Sequence, residues 1–302
     1  MVPQCYASSG PRPRVRRHRR RSTLTSPIPV KRITSRHNAL VARYRAAARG
    51  AHGSLLLVDG QRLVHEALDA GAVLRHVTIA TEAVDRSAAL RSRLEALDVE
   101  VAVASASVMD ALSPVRSPSA VVALADRPAD RAATAFAGRS PLVVAAVSVQ
   151  DPGNLGAIVR VAEAGGASGV AAAGRSADPF GWKALRGSMG SAFRLPTWRA
   201  PVLDELLSGA RQARCRIVAA VPRGGRDPVD AHFDGPTLFL IGAEGSGLPP
   251  DVEAEVDERV TIPMAAPVES LNVAACAALL VYEARRQRHA SPLHGLALPT
   301  RA

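Results

Sequence analysis

The chain has 302 residues, 47% of them hydrophobic, and a formal net charge of +11; the length accommodates two ordinary domains and the hydrophobic share excludes a wholly disordered protein. Ten of the eleven excess charges fall within residues 1–36, on Arg12, Arg14, Arg16, Arg17, Arg19, Arg20, Arg21, Lys31, Arg32 and Arg36 with no acid among them, so the body is nearly neutral. Cys5, Cys215 and Cys276 are odd in number and scattered, which excludes a disulfide framework and a CxxC zinc pattern and fits a reducing cytoplasm.

The longest apolar stretch, Val273 to Tyr282, is far short of the roughly 18 residues a membrane-spanning helix needs, so a soluble protein is expected. Residues 1–32 read as a basic, disordered arm. Such an arm can grip RNA phosphates through counterion release or stand as a solvated extension. Its Pro-Arg repeats and lack of an amphipathic apolar face argue against a transit peptide.

Helix is expected over Asn38–Arg49, strand over Leu55–Val58, helix over Gln61–Ala70 and strand over Val73–Ala80. A helix over Ser87–Leu97, a strand over Val99–Val103, a short helix over Val108–Leu112 and a strand over Ala120–Leu124 follow. This alternation is α/β and marks a small domain over 33–126. The stretch 127–140 loses apolar periodicity and gathers Pro128, Gly138 and charge, which reads as a linker. A second α/β domain covers 141–290, with a tail at 291–302.

In the second domain LVVAAVSV, Leu142 to Val149, is a continuous apolar run of the kind a parallel strand covered on both faces requires. A helix over Leu155–Ala164, a strand over Gly169–Ala173, a helix over Asp204–Ala213, and strands over Arg216–Val221, Thr237–Ile241 and Arg259–Ile262 continue the pattern. A helix over Asn272–Arg288 closes it, with Arg285, Arg286 and Arg288 suiting its negative C-terminal end.

Three segments place small or polar residues directly against an apolar strand or helix: DPGNLGAIVR (Asp151–Arg160), LFLIGAEGSGLP (Leu238–Pro249) and IPMAAPVESLNVAA (Ile262–Ala275). The first opens a helix and offers backbone N–H groups and the Asn154 amide; alone it is also an ordinary capped turn, and Arg160 an ordinary surface arginine. The second brings Gly242, Gly245 and Gly247 behind a strand, permitting close approach of backbone to a ligand. It matches neither a P-loop nor GxGxxG with a downstream acid, and Glu244 alone reads equally as an exposed loop carboxylate. In the third, Ser270 or Asn272 can serve as a helix N-cap and nothing more.

Taken together, in this order and spacing, the segments resemble the SpoU/TrmH branch of the SPOUT methyltransferases, whose motifs run N-x-G-x-x-x-R, a Gly-Glu-Gly loop after an apolar strand, and Ser-Leu-Asn before a final helix. The resemblance covers residues 141–289 and extends to DPFGWKALRGSMGSAFRLP (Asp178–Pro196). LLLVDGQRLVHEAL (Leu55–Leu68) and VMDALSP (Val108–Pro114) resemble the small ribosomal-protein-like RNA-binding domain that often precedes it. The chain departs from that domain's pattern where Ser117-Pro118-Ser119-Ala120 replaces the usual Pro-Gln-Gly.

The resemblance implies a trefoil-knotted SPOUT domain with a parallel sheet, a homodimer, S-adenosylmethionine as cofactor, no metal, and methylation of a ribose 2′-hydroxyl in structured RNA, 23S-type ribosomal RNA before transfer RNA. It assigns reacting-group roles to Asn154, Arg160, Glu244, Ser270 and Asn272, and cofactor binding to Gly242, Ile262 and Leu271. Residue types agree with the absence of a metal, since His232 is the only histidine between residues 142 and 288. A guanidinium with a pKa above about 12 is a poor base, so Arg160 is expected to orient the hydroxyl and stabilise developing negative charge. The alternatives are a tRNA 2′-O-methyltransferase and a non-catalytic RNA-binding or ribosome-assembly factor on the same fold.

Overall fold

A computed structural model describes residues 31–115 and 117–290. The basic arm up to residue 30 and the tail at 291–302 lie outside the described residues. The first half runs β1 (Lys31–Ile33), α1 (Ala39–Ala48), β2 (Leu55–Asp59), α2 (Gln61–Asp69), β3 (Leu74–Ala80), α3 (Ala88–Ala96), β4 (Glu100–Ala104), α4 (Ala106–Leu112) and β5 (Val121–Asp126). After α5 (Ala132–Ala135) come β6 (Leu142–Val147), α6 (Pro152–Gly165), β7 (Gly169–Ala173), α7 (Trp182–Ser188), α8 (Ser191–Arg194) and β8 (Thr197–Ala200). The chain continues through α9 (Leu203–Gln212), β9 (Arg216–Ala220), β10 (Thr237–Gly242), α10 (Pro250–Ala254), β11 (Glu258–Val260) and α11 (Val273–Ala290).

The first sheet has the order β1-β4-β3-β5-β2 and mixes directions: β5 is antiparallel to β2 and β3, whereas β4 is parallel to β1 and β3. The second has the order β11-β9-β10-β6-β7-β8 and every pairing in it is parallel. All six residues of β6, LVVAAV, are buried, which the covering of both sheet faces explains. Alternation along β6 sorts them: Val144 and Ala146 join a core with Ile158 of α6 and Leu280 of α11, while Val143, Ala145 and Val147 join Leu206 and Leu207 of α9. The first of these cores also contains the interior of the mixed sheet, so apolar packing runs without a break between the halves.

Polar contacts reinforce that junction. Arg194 of α8 donates to Glu66 of α2 at 2.5 Å and, by two nitrogens, to Glu163 of α6 at 2.7 and 2.8 Å. Arg127 grips Asp178 with both terminal nitrogens at 3.0 and 2.5 Å and lies over the Phe180 ring. Arg131 donates to the carbonyls of Phe193, Arg194 and Leu195. The segment 127–140 thus carries a short helix and two anchored arginines.

Arg288, near the end of α11, reaches the opposite end of the parallel sheet. Its guanidinium donates to the carbonyls of Phe233 (2.8 Å), Ser140 (2.8 Å), Pro141 (3.3 Å) and Gly235 (2.5 Å), the chain that leads into β6 and β10. Burial pulls its pKa down to about 10, and the four carbonyl dipoles keep the charge tolerable there.

Elements absent from the sequence reading are short: β1, α5, α7, α8, β8 and α10 have seven residues or fewer. In the glycine-rich 178–196 region no apolar period survives long enough to register. There the helices are held by close backbone packing: a Cβ on Gly156 of α6 would stand 2.3 Å from the Ala184 carbonyl oxygen of α7.

Candidate active site

The register of the parallel sheet decides which loops meet. Val147 at the end of β6 lies opposite Gly242 at the end of β10, and Ala220 of β9 lies opposite Ile241. The loops leaving these strands therefore emerge side by side at the carboxyl edge, where ligands of open α/β sheets bind.

After β6, Asp151 caps α6 by accepting the Asn154 backbone N–H at 2.7 Å, and Pro152 occupies the first turn, where its missing donor costs nothing. The helix consequently begins three residues before the Leu155 start expected from the pattern. Asn154 stands inside its first turn, with its side-chain amide directed elsewhere.

After β10 the chain returns on itself. Gly247 N–H donates to the Ala243 carbonyl at 3.0 Å, and Gly245 and Gly247 adopt φ of 87° and 65°, a region that side chains disfavour. A Cβ on Gly242 would lie 2.3 Å from the Gly247 carbonyl carbon. Glycine at 242 is thus required by the closure of the loop, which sets Glu244 at an exposed apex.

The third segment ends at Asn272, whose Oδ1 accepts the backbone N–H of Ala274 at 2.9 Å and of Ala275 at 3.4 Å. Asn272 is therefore the helix cap that its position allowed, and it does more. Its Nδ2 donates to Asn154 Oδ1 and to Glu244 Oε1, both at 3.1 Å, and Asn154 Nδ2 donates to the same Glu244 oxygen at 2.8 Å. Three residues from segments up to 118 positions apart close one ring of hydrogen bonds around a single carboxylate oxygen.

Beside this ring lies a cleft of about 360 Å³ lined by Gly242, Ile262, Ser270 and Leu271, together with Met264 and Glu269. Cys276 borders it, its thiol pushed up to about 11 by burial. On the other side of Glu244 a smaller hollow of about 210 Å³ is lined by Ser148, Gln150, Asp151, Arg175 and Ser246. Glu244 lines both. Among the described residues no three metal-ligating side chains cluster, and no helix is long and apolar enough to cross a membrane.

The structure brings together Asn154, Glu244 and Asn272, and sets Gly242, Ile262, Ser270 and Leu271 on the wall beside them. Arg160 stands apart. It is exposed on α6, its six-residue offset from Asn154 puts it about 120° around the helix, and among the described residues it has no hydrogen-bond or ion-pair partner. Arg175, Ser148 and Gln150 escaped the sequence reading. Strand ends followed by polar residues were their only signal, and many turns share it.

A model of the SpoU rRNA methylase family matches residues 141–282. A Synechocystis sp. protein named as an uncharacterized tRNA/rRNA methyltransferase is 34% identical over 90% of this chain and 99% of its own length. The 23S rRNA (uridine(2479)-2′-O)-methyltransferase of Streptomyces viridochromogenes is 38% identical over 57% of this chain and 62% of its own. The crystal structure of the SpoU methyltransferase AviRb from Streptomyces viridochromogenes, in complex with the cofactor AdoMet, superposes with a TM-score of 0.74 at 30% identity, covering 83% of this chain and 98% of that one. The chain belongs to the SpoU rRNA methylase family.

Proposed function

We propose that the protein transfers the methyl group of S-adenosylmethionine to a ribose 2′-hydroxyl of structured RNA, with 23S-type ribosomal RNA as substrate, and that it works as a homodimer in the cytoplasm. The observation that carries this reading is the ring formed by Asn154, Glu244 and Asn272 between a largely apolar cleft and a polar hollow. The substrate class follows the family and the 23S rRNA relative from Streptomyces viridochromogenes.

The cleft suits the cofactor. Ile262, Met264 and Leu271 offer apolar walls for an adenosyl group, and the loop of Gly242 to Gly247 contributes backbone instead of bulky side chains. When bound, S-adenosylmethionine supplies an electrophilic methyl whose sulfonium loses its charge on transfer. Walls with few competing waters suit that loss of charge. Asn154 and Asn272 fix the Glu244 carboxylate at the boundary between the two spaces, and Ser270 holds the cleft side.

The ribose enters from the polar hollow, where Arg175 and Ser148 can hold a phosphate and a sugar hydroxyl. Arg160, which stands apart from the ring within one protomer, reaches the 2′-hydroxyl bound at the partner's ring across the homodimer, where it orients the hydroxyl and its adjoining phosphate and stabilises the oxygen as it gains negative charge; it does not serve as the base. Support for the dimer comes from α11, where Leu279 and Tyr282 are each half exposed and share a face three residues apart. Leu271, 37% exposed, lines the cleft just before that helix begins.

The test is incubation with labelled S-adenosylmethionine and total RNA from a strain lacking the protein, followed by mapping through 2′-O-methyl-sensitive cleavage. One blocked ribose in 23S RNA is expected. Label in transfer RNA would move the substrate, and cofactor binding with no label in any RNA would overturn the catalytic reading. Arg160→Ala should lose transfer and still bind cofactor; full activity in that variant removes it from the reaction.

A further inference from the structure

At the junction of the two halves, Asp59 closes β2 with its side chain fully buried. Both of its oxygens are already served: Ser113 Oγ donates to Oδ2 and Ser119 Oγ to Oδ1, each at 2.5 Å. Arg186 of α7 approaches the same carboxylate, with its Nη1 3.6 Å from Oδ1. That is an ion pair too long for a hydrogen bond. The two hydroxyls occupy one acceptor site on each oxygen, and the arginine supplies the counter-charge that the buried carboxylate needs without spending a hydrogen bond on it.

The result is a guanidinium held in place by a dehydrated charge, with its side chain 45% exposed and with no hydrogen-bond acceptor among the described residues. Lys183, three residues earlier on the same helix, is also exposed and has no acid partner among the described residues. At that spacing the two cations occupy one face of α7.

The position of α7 relative to the ring of Asn154, Glu244 and Asn272 is fixed by glycine packing. A Cβ on Gly187, the residue after Arg186, would stand 3.1 Å from the Gly153 carbonyl oxygen. Gly153 immediately precedes Asn154. The cationic face therefore begins next to the first turn of α6 and faces the junction with the N-terminal half.

We infer that Arg186, oriented by Asp59, and Lys183 form a phosphate-binding face that takes the sugar-phosphate backbone of the substrate RNA where it passes from the N-terminal half to the methylation site. Phosphate contacts of this kind set register and orientation without reading sequence, so they fix which nucleotide reaches Asn154. The inference rests on the RNA-methyltransferase reading above. Arg186 has the planar fork that suits a phosphate, and Lys183 contributes a mobile point charge.

The experiment measures equilibrium binding of full-length protein to a labelled 23S RNA transcript over a series of salt concentrations, independently of methylation. It is accompanied by KM for RNA, kcat, cofactor affinity and thermal midpoint. Arg186→Ala should weaken RNA binding and raise KM by about tenfold or more, as loss of a charge-assisted contact does. It should reduce the slope of log affinity against log salt by about 0.7 to 0.9, leaving kcat at saturating RNA and cofactor affinity unchanged. Lys183→Ala, which removes an exposed side chain, should reproduce the slope change, and Arg186→Lys should restore part of the affinity.

If both alanine variants keep the parental slope and KM, the face does not touch RNA. If only Arg186→Ala changes, and its thermal midpoint and cofactor affinity fall with the RNA affinity, the arginine is a structural bridge and the inference is overturned. Because binding is read without catalysis, absence of methyl transfer by the parent protein would overturn the proposed function and leave this measurement interpretable.

Discussion

Replacing Gly156 with alanine tests whether the seam between α6 and α7 positions the site. The added methyl would stand 2.3 Å from the Ala184 carbonyl oxygen, 2.9 Å from the Ser188 nitrogen and 3.0 Å from the Gly187 carbonyl carbon. All three obstacles are backbone, so no rotamer change relieves them. Since real Cβ contacts essentially never fall below 3.0 Å, the helices must separate by at least 0.7 Å, the difference between 3.0 and 2.3. Overpacking a close-packed interior costs typically 1–3 kcal/mol; with rigid obstacles the expected loss is about 2 kcal/mol or more. For a protein of this size that is a fall in Tm of roughly 3–4 °C.

Activity should fall further than the stability loss explains, because α6 carries Asn154 in its first turn and a shift near 1 Å misaligns reacting groups. The control is Gly209→Ala on α9, where nothing lies within 4 Å of the added carbon. Removing that helical glycine should leave Tm unchanged or raise it by a few degrees. The measurements are thermal unfolding and methyl incorporation at 10 °C below each variant's own Tm. A Gly156→Ala protein with parental Tm and turnover would refute the reasoning.

Asn272 combines a helix cap and a bridge, and these separate by substitution. Serine retains an N-cap oxygen but is too short to reach both Asn154 and Glu244, so Asn272→Ser should hold Tm within a degree or two while turnover falls at least tenfold; Asn272→Ala should lose about 1 kcal/mol of stability as well. Glu244→Gln keeps an Oε1 that accepts from both amide donors and removes only the negative charge, so methyl transfer should drop tenfold or more with Tm nearly unchanged if that charge is what the site uses. His76, buried in the mixed sheet with Tyr44 Oη 2.9 Å from Nδ1 and without a partner for Nε2 among the described residues, has its pKa lowered to about 4 by burial. Its unfolded form takes up a proton near 6.5, so the folded state should lose stability as pH falls from 6.5 to 4, by roughly 3 kcal/mol from this residue. Thermal scans of parent and His76→Phe across that range should diverge, and parallel curves would sink the assignment.

The alternation of helix and strand was legible because β6, β10, α6 and α11 are apolar over enough residues to display a period. Each of the three sets of polar residues that form the ring reads as a turn or cap by itself, and only their order and spacing, through the family resemblance, pointed to one site. What joins them is register: Val147 opposite Gly242 is a property of strand pairing that no local window contains. Arg186 was hidden for a related reason, because its meaning depends on Asp59, 127 positions away and already satisfied by two serines. Arg160 shows the opposite case, conspicuous in sequence and without a polar partner among the described residues. The helices α7 and α8 are invisible to periodicity because seven and four residues are too few to display a period, and glycine contacts seat α7 against α6.

The last helix joins the two ends of the catalytic sheet. Asn272 at its start is hydrogen-bonded into the ring with Asn154 and Glu244, while Arg288, about 24 Å further along a rod that rises 1.5 Å per residue, is fastened to four carbonyls beneath β6 and β10. Damage to that distant anchor would travel: a substitution far from any substrate could let the rod swing and blur methyl transfer, so lesions there would present as catalytic defects in a protein whose chemistry is intact.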